Sequence, residues 1–364
     1  MLFMHASASA DTQIIDMKLL TSKIGWAATE KTLCWTTNAG STWHNITPMS
    51  VKDGKIASVF FLNVNQGWIL YSGVGGKRRE FNVAYTNDGG TNWSINSVNL
   101  PTMFQKNNEE SSAGLTGDGL IDFADNIYGW INLRFFVSPA MGSDSTLFRT
   151  EDGGKTWKWL KTDLPMANHF HFMTPKNGWL ASETDLYATH DGGNSWQQVS
   201  LNASQPPYFD NEESGDYYDL PIFQNSRQGF LPVTYLRDLY VSTLVLFATN
   251  NGGSTWKADR IMPDLKNIAY MYPSALADSI LISLVPSETE HSLTLIKVLP
   301  NGKTITTTAN ALNIKGNLTK GSLYPSKWWK LSFITPDQGW VSTNTNQLLL
   351  TNDGGKTWTV ITPQ

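Results

Sequence analysis

The feature that most constrains this chain is a turn segment of eight to nine residues that recurs six times. A turn motif repeated at intervals of tens of residues is the signature of a repeat architecture, so it indicates a fold far more directly than an activity. The copies read TTNAGSTW (Thr36–Trp43), YTNDGGTNW (Tyr85–Trp93), RTEDGGKTW (Arg149–Trp157), ATHDGGNSW (Ala188–Trp196), ATNNGGSTW (Ala248–Trp256) and LTNDGGKTW (Leu350–Trp358).

Each copy predicts a β-hairpin. An apolar run such as Leu244–Phe247 precedes the turn, and an alternating run such as Thr357–Ile361 follows it. The turn Asp can accept backbone hydrogen bonds, the glycines allow positive φ, and the Trp buries apolar area. In the first copy we expect Ala39 to replace the Asp and to leave that bond unmade. We assign a structural role in the other copies to Asp88, Asp152, Asp191, Asn251 and Asp353.

A second signature, a turn that ends in Gly-Trp, precedes each copy. With it, the repeating unit becomes four antiparallel strands, which is one blade of a β-propeller. The signature occurs at Gly25–Trp26, Gly67–Trp68, Gly129–Trp130, Gly178–Trp179, Gly339–Trp340 and, with Phe in place of Trp, at Gly229–Phe230.

The spacing of the copies predicts the number of blades. The interval from Trp256 to Trp358 is about twice the others, so we expect an eroded copy at Asn301–Ile305, preceded by strands at Ile268–Pro273 and Ser279–Val285. The predicted fold is all-β, a single seven-bladed β-propeller over residues 11–364. Its blades are four-stranded and antiparallel, with hairpins at the repeated Asp-containing turn, here called the Asp box. The predicted blades cover residues 11–49, 50–100, 101–163, 164–201, 202–262, 263–313 and 314–364.

Composition excludes several classes of protein. The chain has 31 acidic and 27 basic residues and no basic stripe, which argues against nucleic-acid binding. No apolar stretch is long enough for a membrane helix. The single cysteine, Cys34, forms no intramolecular disulfide, and we expect a buried, inert thiol.

We expect the first ten residues to be a signal-peptide remnant or a disordered start. Ala8–Ala10 before Asp11 has the small residues of a signal-peptidase site. Together with the low cysteine content, this favours a bacterial protein exported to the cell envelope or exterior.

The repeated turns resemble the Asp-box (BNR) repeat. With the Gly-Trp turns, they resemble the photosystem II stability/assembly factor-like family of seven-bladed propellers, and more distantly the propellers of sialidases, xyloglucanases and sortilin-type receptors. The resemblance implies that the boxes lie at the outer edge of the blades, away from the ligand face. Assembly-factor members act as scaffolds for protein subunits, and those of photosynthetic organisms carry an arginine-rich patch. Here only Arg78 and Arg79 are adjacent.

The two kinds of turn divide the loops between two faces. Box turns and Gly-Trp turns share one face, and the long insertions fall on the other, where binding usually resides. Aromatic side chains mixed with carboxylates can stack on sugars or hold a peptide. The alternative is a set of solvated loops with a common origin. The ligand-binding candidates are Arg78, Arg79, Tyr208, Tyr217, Tyr218, Arg237, Trp328 and Trp329.

Enzymatic hypotheses find few matching residues. A sialidase-like first blade would carry Arg-Ile-Pro, but this chain has Asp16–Leu20 there, and Arg260–Pro263 comes too late. A glycosidase needs two facing carboxylates. The candidates by position are Glu110, Asp118, Asp210, Glu213 and Asp216.

Metal binding has two candidate sets. His169 and His171 share one side of a strand without a third ligand nearby, so a packed or channel-lining pair is the favoured interpretation. Calcium could be held by Asp210, Glu213, Asp216 and Asp219, although their spacing matches no EF-hand loop.

These patterns together predict a monomeric, non-enzymatic binding or assembly scaffold. It would use the insertion-bearing face, take a protein or carbohydrate ligand and need no cofactor, with calcium left open. The alternative is a carbohydrate-active enzyme of glycoside hydrolase type, or a glycan-binding module.

Overall fold

A computed structural model describes most of the chain. The secondary structure described consists of β-strands and one short 3-10 helix, Met49–Val51, so the all-β prediction is confirmed. The residues described are 13–51, 54–73, 80–101, 114–138, 142–164, 169–182, 185–201, 216–236, 241–266, 268–276, 279–286, 293–299, 304–309, 314–315, 330–343 and 346–363.

The chain divides into two compact units. The central unit is Ala57–Ile268, and the terminal unit combines Met1–Ile56 with Ala269–Gln364. The four sheets of blades 2 to 5 belong mainly to the central unit. Three sheets, described below, belong mainly to the terminal unit.

Blades 2 to 5 follow one another along the chain, and each blade pairs its strands in antiparallel order. In blade 5 the first strand is split in two, and both parts pair with β19. Blade 2 is β5 (Gly54–Phe61), β6 (Gly67–Gly73), β7 (Phe81–Thr86) and β8 (Ser94–Val98); blade 3 is β9 (Gly114–Phe123), β10 (Gly129–Ser138), β11 (Gly142–Thr150) and β12 (Lys158–Leu164); blade 4 is β13 (His169–Phe172), β14 (Gly178–Ala181), β15 (Leu186–Thr189) and β16 (Gln197–Gln198); blade 5 is β17 (Asp216–Tyr218), β18 (Ile222–Phe223), β19 (Gly229–Leu236), β20 (Val241–Thr249) and β21 (Lys257–Lys266).

The terminal unit holds blade 1, blade 6 and one further sheet. Blade 6 has a fifth strand, β26, which pairs in parallel with the outer strand β30 and was not predicted. Blade 1 is β1 (Ile14–Leu19), β2 (Gly25–Thr29), β3 (Leu33–Thr36) and β4 (His44–Asn45); the further sheet is β22 (Ile268–Ala275), β23 (Ile280–Pro286), β24 (Leu293–Val298) and β25 (Thr304–Ala309); blade 6 is β26 (Ile314–Lys315), β27 (Lys330–Phe333), β28 (Gly339–Ser342), β29 (Leu348–Thr351) and β30 (Trp358–Val360).

Four-stranded antiparallel propeller blades are therefore confirmed, but the prediction of seven blades was wrong, because the structure shows six blades that carry the repeat. Six blades carry both the box and the Gly-Trp or Gly-Phe turn. The sheet β22–β25 lies where a blade was predicted over residues 263–313, and Ile280–Leu281 stands there in place of Gly-Trp. The eroded box predicted at Asn301–Ile305 lies partly outside the described residues, and its last two residues begin β25. We call β22–β25 the box-less sheet.

In most blades a phenylalanine ring explains why the Gly-Trp or Gly-Phe turn needs a glycine. In five of the box-bearing blades the first strand ends in Phe, six residues before this glycine; blade 1 has Leu19 there. The ring lies on the glycine so closely that a Cβ at Gly129 would be 2.3 Å from the ring of Phe123. Trp68 of blade 2 then stacks on Phe123 of blade 3, with 3.8 Å between ring centroids. Blades 2 and 3 therefore share one aromatic core.

A repeated backbone hydrogen bond places the two turns of each blade at the same end. The residue after the Asp position donates its N–H to a carbonyl in the turn before Gly-Trp or Gly-Phe, as predicted from blade topology. The six bonds are Ala39 to Lys23, Gly89 to Asn65, Gly153 to Ile127, Gly192 to Lys176, Gly252 to Arg227 and Gly354 to Asp337, all 2.7–2.9 Å long. We call this end of the blades the box end and the other the opposite end.

Candidate functional site

The box carboxylates are fully engaged in their own turns. Asp152 accepts hydrogen bonds from Thr150 Oγ1, the Thr156 N–H and Thr156 Oγ1, at 2.8, 2.9 and 2.6 Å. Burial alone would raise the pKa of Asp152, but these hydrogen bonds overcome it and hold the pKa below its ordinary value. Asp191 and Asp353 show the same balance. The arrangement closes a hairpin and leaves little capacity to bind a ligand.

The first box corrects the predicted register. Asn38, and not Ala39, occupies the Asp position, because its Oδ1 accepts from Thr36 Oγ1 at 3.0 Å and from the Thr42 N–H at 2.8 Å. Ala39 replaces the first glycine and takes its left-handed backbone, with φ of 59°. The prediction that this copy lacks the capping bond was wrong. Asn251 does stand at the Asp position and makes the corresponding bonds.

Exposed side chains of three consecutive blades lie at the opposite end. The first strand of a blade finishes at the box end, so its beginning lies at the opposite end. There, blade 3 exposes Asp118, blade 4 exposes His169 and blade 5 exposes Tyr217, which is 48% accessible. We call these three residues, with the half-buried Arg134, the inner-strand surface.

Blades 3 and 5 extend past blade 4 at this end. Their second strands all begin at the box end, yet β10 has ten residues, β14 has four and β19 has eight. At roughly 3.3 Å per residue, β10 and β19 run about 20 and 13 Å beyond the described end of β14. The ends of β10 and β19 therefore project beyond blade 4 on both of its sides.

Arg134 and Asp118 form the charged part of this surface. Both lie where the register between β9 and β10 shifts, between the pairs Leu133–Gly119 and Phe135–Leu115. Such bulges re-aim side chains. Burial lowers the pKa of Arg134, and the nearby charge of Asp118 acts in the opposite direction. A partly desolvated guanidinium is thus held beside an exposed carboxylate.

Blade 4 also carries an unpredicted contact at its innermost strand. Asp122 of β9, which is buried, accepts a 2.7 Å hydrogen bond from the Phe172 N–H and lies 3.2 Å from His171 Nδ1. His171 is therefore engaged by blade 3. Among the residues that the structure describes, no group of three His, Cys, Asp or Glu could hold a metal ion. The signal missed in the sequence was a carboxylate inside the apolar run Leu120–Phe123.

The structure places three of the predicted ligand-face residues. Asp118 and Tyr217 lie on the inner-strand surface, and Tyr218 is partly buried against the apolar core between blades 4 and 5. Cys34 lies in β3, partly buried, and burial raises the pKa of its thiol. The side chains of the remaining candidates lie outside the described residues: Arg78, Arg79, Glu110, Tyr208, Asp210, Glu213, Asp216, Arg237, Trp328 and Trp329.

One family model and two solved structures that are similar to this chain carry the same name, YCF48. The family described as photosynthesis system II assembly factor YCF48 matches residues 118–210. A solved structure of YCF48 bound to a D1 peptide is 16% identical, covers 94% of each chain and superposes with a TM-score of 0.52. YCF48 from Cyanidioschyzon merolae is 14% identical over 88% of each chain, with a TM-score of 0.46.

The structure of an enzyme is also among those similar to this chain. A polysaccharide lyase, an ulvan lyase, is 10% identical with a TM-score of 0.47, and covers 85% of this chain and 81% of its own. No curated protein sequence matches this one. In the part of the chain described, no helix is long and apolar enough to cross a membrane. The chain is thus a BNR-type β-propeller that resembles YCF48.

Proposed function

We propose that this protein is a non-enzymatic binding or assembly scaffold that docks a segment of a partner protein on the inner-strand surface. The observation that carries this proposal is the placement of Asp118, His169 and Tyr217, exposed at the same end of three consecutive blades. An aromatic ring, an imidazole and a carboxylate beside a guanidinium offer stacking and hydrogen bonds to an extended peptide.

The chemistry of the box end supports the choice of surface. The carboxylates there are occupied by hydrogen bonds from their own turns, as at Asp88 and Asp353. Polar groups that already have their full set of partners gain little from a ligand. The groups of the inner-strand surface belong to no repeated turn, and they differ from blade to blade.

The comparisons support a protein partner. The family match begins at Asp118 and covers the strands of blades 3 and 4, from which most of the inner-strand surface comes. The similar YCF48 structure contains a bound D1 peptide. We extend peptide binding, without the identity of the peptide, to this chain. Export to a bacterial envelope or exterior, and the monomeric state, remain predictions.

Fewer observations support the alternative, a carbohydrate-active enzyme. A glycosidase needs two carboxylates across the scissile bond. Of the catalytic candidates Glu110, Asp118, Glu213 and Asp216, only Asp118 has a described side chain, and it lies beside Arg134.

Site-specific photo-cross-linking tests the proposal. A photo-reactive amino acid at Tyr217 should yield an adduct with a defined host protein, because this side chain lies on the docking surface. The matched control is the same replacement at Ile127, which is 44% exposed but lies in the turn at the box end of blade 3. Adding Arg134→Gln should reduce the Tyr217 adduct. Equal labelling from both positions, or labelling from Ile127 alone, would refute this choice of surface.

A further inference from the structure

Blade 5 is the one described blade whose box places Asn before Gly. Asn251 precedes Gly252, whereas Asp88, Asp152, Asp191 and Asp353 precede glycine in four other blades. An Asn-Gly sequence is chemically labile, because the glycine backbone nitrogen can attack the asparagine side-chain carbonyl with little steric hindrance. The lack of a Cβ at glycine is what allows this close approach.

The folded turn holds every group of this reaction in another interaction. The Gly252 N–H, whose nitrogen is the nucleophile, donates to the Arg227 carbonyl at 2.9 Å. Asn251 Oδ1 accepts from Thr249 Oγ1 at 2.8 Å and from the Thr255 N–H at 3.0 Å, and Nδ2 donates to Thr255 Oγ1 at 2.8 Å. The carboxamide cannot rotate toward Gly252 unless these bonds break together.

We propose that Asn251 is a site of spontaneous deamidation, gated by local opening of the blade 5 box turn, and that its aspartate product gives this box the carboxylate that four other boxes carry. In the first step the Gly252 nitrogen bonds to Asn251 Cγ and ammonia leaves, which gives a cyclic imide. Water then adds to the imide and opens it. Opening at one carbonyl gives aspartate, and opening at the other gives isoaspartate, with the chain routed through the side chain. No oxidant or reductant is needed.

The two products differ in their fit to the turn. Aspartate at position 251 needs only one hydrogen bond to reverse: Thr255 Oγ1, which accepts from Asn251 Nδ2, would donate instead, as Thr156 Oγ1 does to Asp152 at 2.6 Å. A threonine hydroxyl can serve as donor or acceptor by rotation. Isoaspartate adds a backbone carbon before Gly252 and so displaces its N–H from the Arg227 carbonyl. The turn therefore tolerates one product and is disrupted by the other.

The experiment follows the conversion of amide to acid by peptide mass spectrometry during incubation at mildly alkaline pH, for the intact protein with and without urea. Because the reaction requires opening, conversion at Asn251 should be at least about tenfold slower in the folded protein than in the unfolded chain. Thr255→Val, which removes the partner of Nδ2, should accelerate conversion several-fold in the folded protein and leave the unfolded rate unchanged. Equal rates in the folded and unfolded protein would overturn the proposal.

The chain carries an internal reference for this test. Asn177–Gly178 is a second Asn-Gly sequence, in the Gly-Trp turn of blade 4. If Thr255→Val loosens only the blade 5 turn, conversion at Asn177 keeps its parental rate. If that variant speeds both sites equally, gating by the blade 5 turn alone is contradicted. Thr255→Ser, which keeps the hydroxyl that accepts from Nδ2, should leave conversion at Asn251 at the parental rate. A Thr255→Val rate at Asn251 no faster than the parental rate would contradict gating by this turn.

Discussion

At the residue scale, the six boxes form a natural substitution series. Asn and Asp occupy the same position with the same Oδ1 acceptor role, as Asn38 and Asp88 show. The next position is more demanding, because it takes a left-handed backbone in the described boxes. Glycine fills it in five copies, and Ala39 fills it in the first with φ of 59°. An L-residue with a Cβ is strained in that region.

Ala39→Gly should therefore stabilise the protein. The left-handed conformation costs an alanine about 1–2 kcal/mol, and the greater freedom of glycine in the unfolded chain returns only part of this, so we expect a gain of about 1 kcal/mol. Urea-induced unfolding measures the difference. Gly89→Ala, at φ of 68°, should lose a similar amount. Gly73→Ala is the control, because a Cβ at Gly73 has no neighbour within 4 Å and this glycine has no positive φ. Equal effects at positions 73 and 89 would contradict the argument.

Asp219 is a second residue whose environment sets a measurable property. It lies between β17 and β18, where three residues of the first strand face two of β19, and burial raises its pKa to about 7 from 3.8. The folded state thus retains a proton that the unfolded chain has released between these two pH values. Stability should fall as pH rises through that window, and above pH 7 the folded state carries the full penalty of a buried charge.

Asp219→Asn should remove this dependence. We expect the variant to match the parent below the ordinary pKa and to exceed it above pH 7, by up to about 4 kcal/mol. Thermal unfolding across this pH range measures the effect. Asp259→Asn, at a side chain that is 40% exposed, is the matched control and should follow the parental profile. If Asp219→Asn keeps the parental pH profile, the carboxyl is not the responsible group.

At the scale of elements, the blades join through their innermost strands and their tryptophans. Ser58 Oγ accepts from the Ile121 N–H of the next blade, Asp122 from Phe172, and Ser332 from Leu19. A side chain of one blade thereby satisfies a backbone donor on the inner edge strand of its neighbour. Edge strands with free donors are a liability, and this pattern reduces it.

The tryptophans allow a direct test of these junctions. Trp130 Nε1 donates to the Gly192 carbonyl of blade 4 at 2.9 Å, whereas the buried Nε1 of Trp179 has no hydrogen-bond partner among the described residues. Trp130→Phe should therefore destabilise the protein more than Trp179→Phe, by about 1–2 kcal/mol. Blade 5 already carries the smaller ring, Phe230, at this position. Equal losses in urea unfolding would show that the indole hydrogen bond contributes nothing.

At the scale of the whole molecule, the sequence predicts what depends on local turn chemistry. The Asp position, the paired glycines and Gly-Trp are short-range signals, so they place the hairpins and the end at which they lie. The Phe six residues before the glycine in blades 2 to 6 is another signal of this short range. Predicting a contact between blades, such as that of Asp122 with His171, requires knowing which strands lie next to each other. The sequence does not predict the two-residue strand β26, because no turn motif or periodicity marks it.

Side-chain hydrogen bonds between blades 1 and 6 hold the terminal unit together. Its blades 1 and 6 share no strand, and side chains join them: Asn346 Oδ1 accepts from the Ile14 N–H, and Trp43 Nε1 donates to the Ile361 carbonyl. These contacts link residues 332 and 318 positions apart, against 62 for Trp130 and Gly192 in the central unit. Closing the longer loop costs about 1.5 kcal/mol more in conformational entropy.

The terminal unit should therefore open before the central unit. In hydrogen–deuterium exchange at low urea, amides of β1 and β30 should exchange earlier than those of β10 and β14, because opening there frees the longest loop. Trp43→Phe, which removes the bond to Ile361, should speed exchange in β1 and β30 while β10 stays protected. Trp159→Phe is the matched control, since its Nε1 bonds Thr146 within blade 3 at 2.8 Å and should leave β1 unchanged. Simultaneous exchange of both units in the parent would mean that the chain unfolds as one cooperative body, and that sequence separation does not set the order of opening.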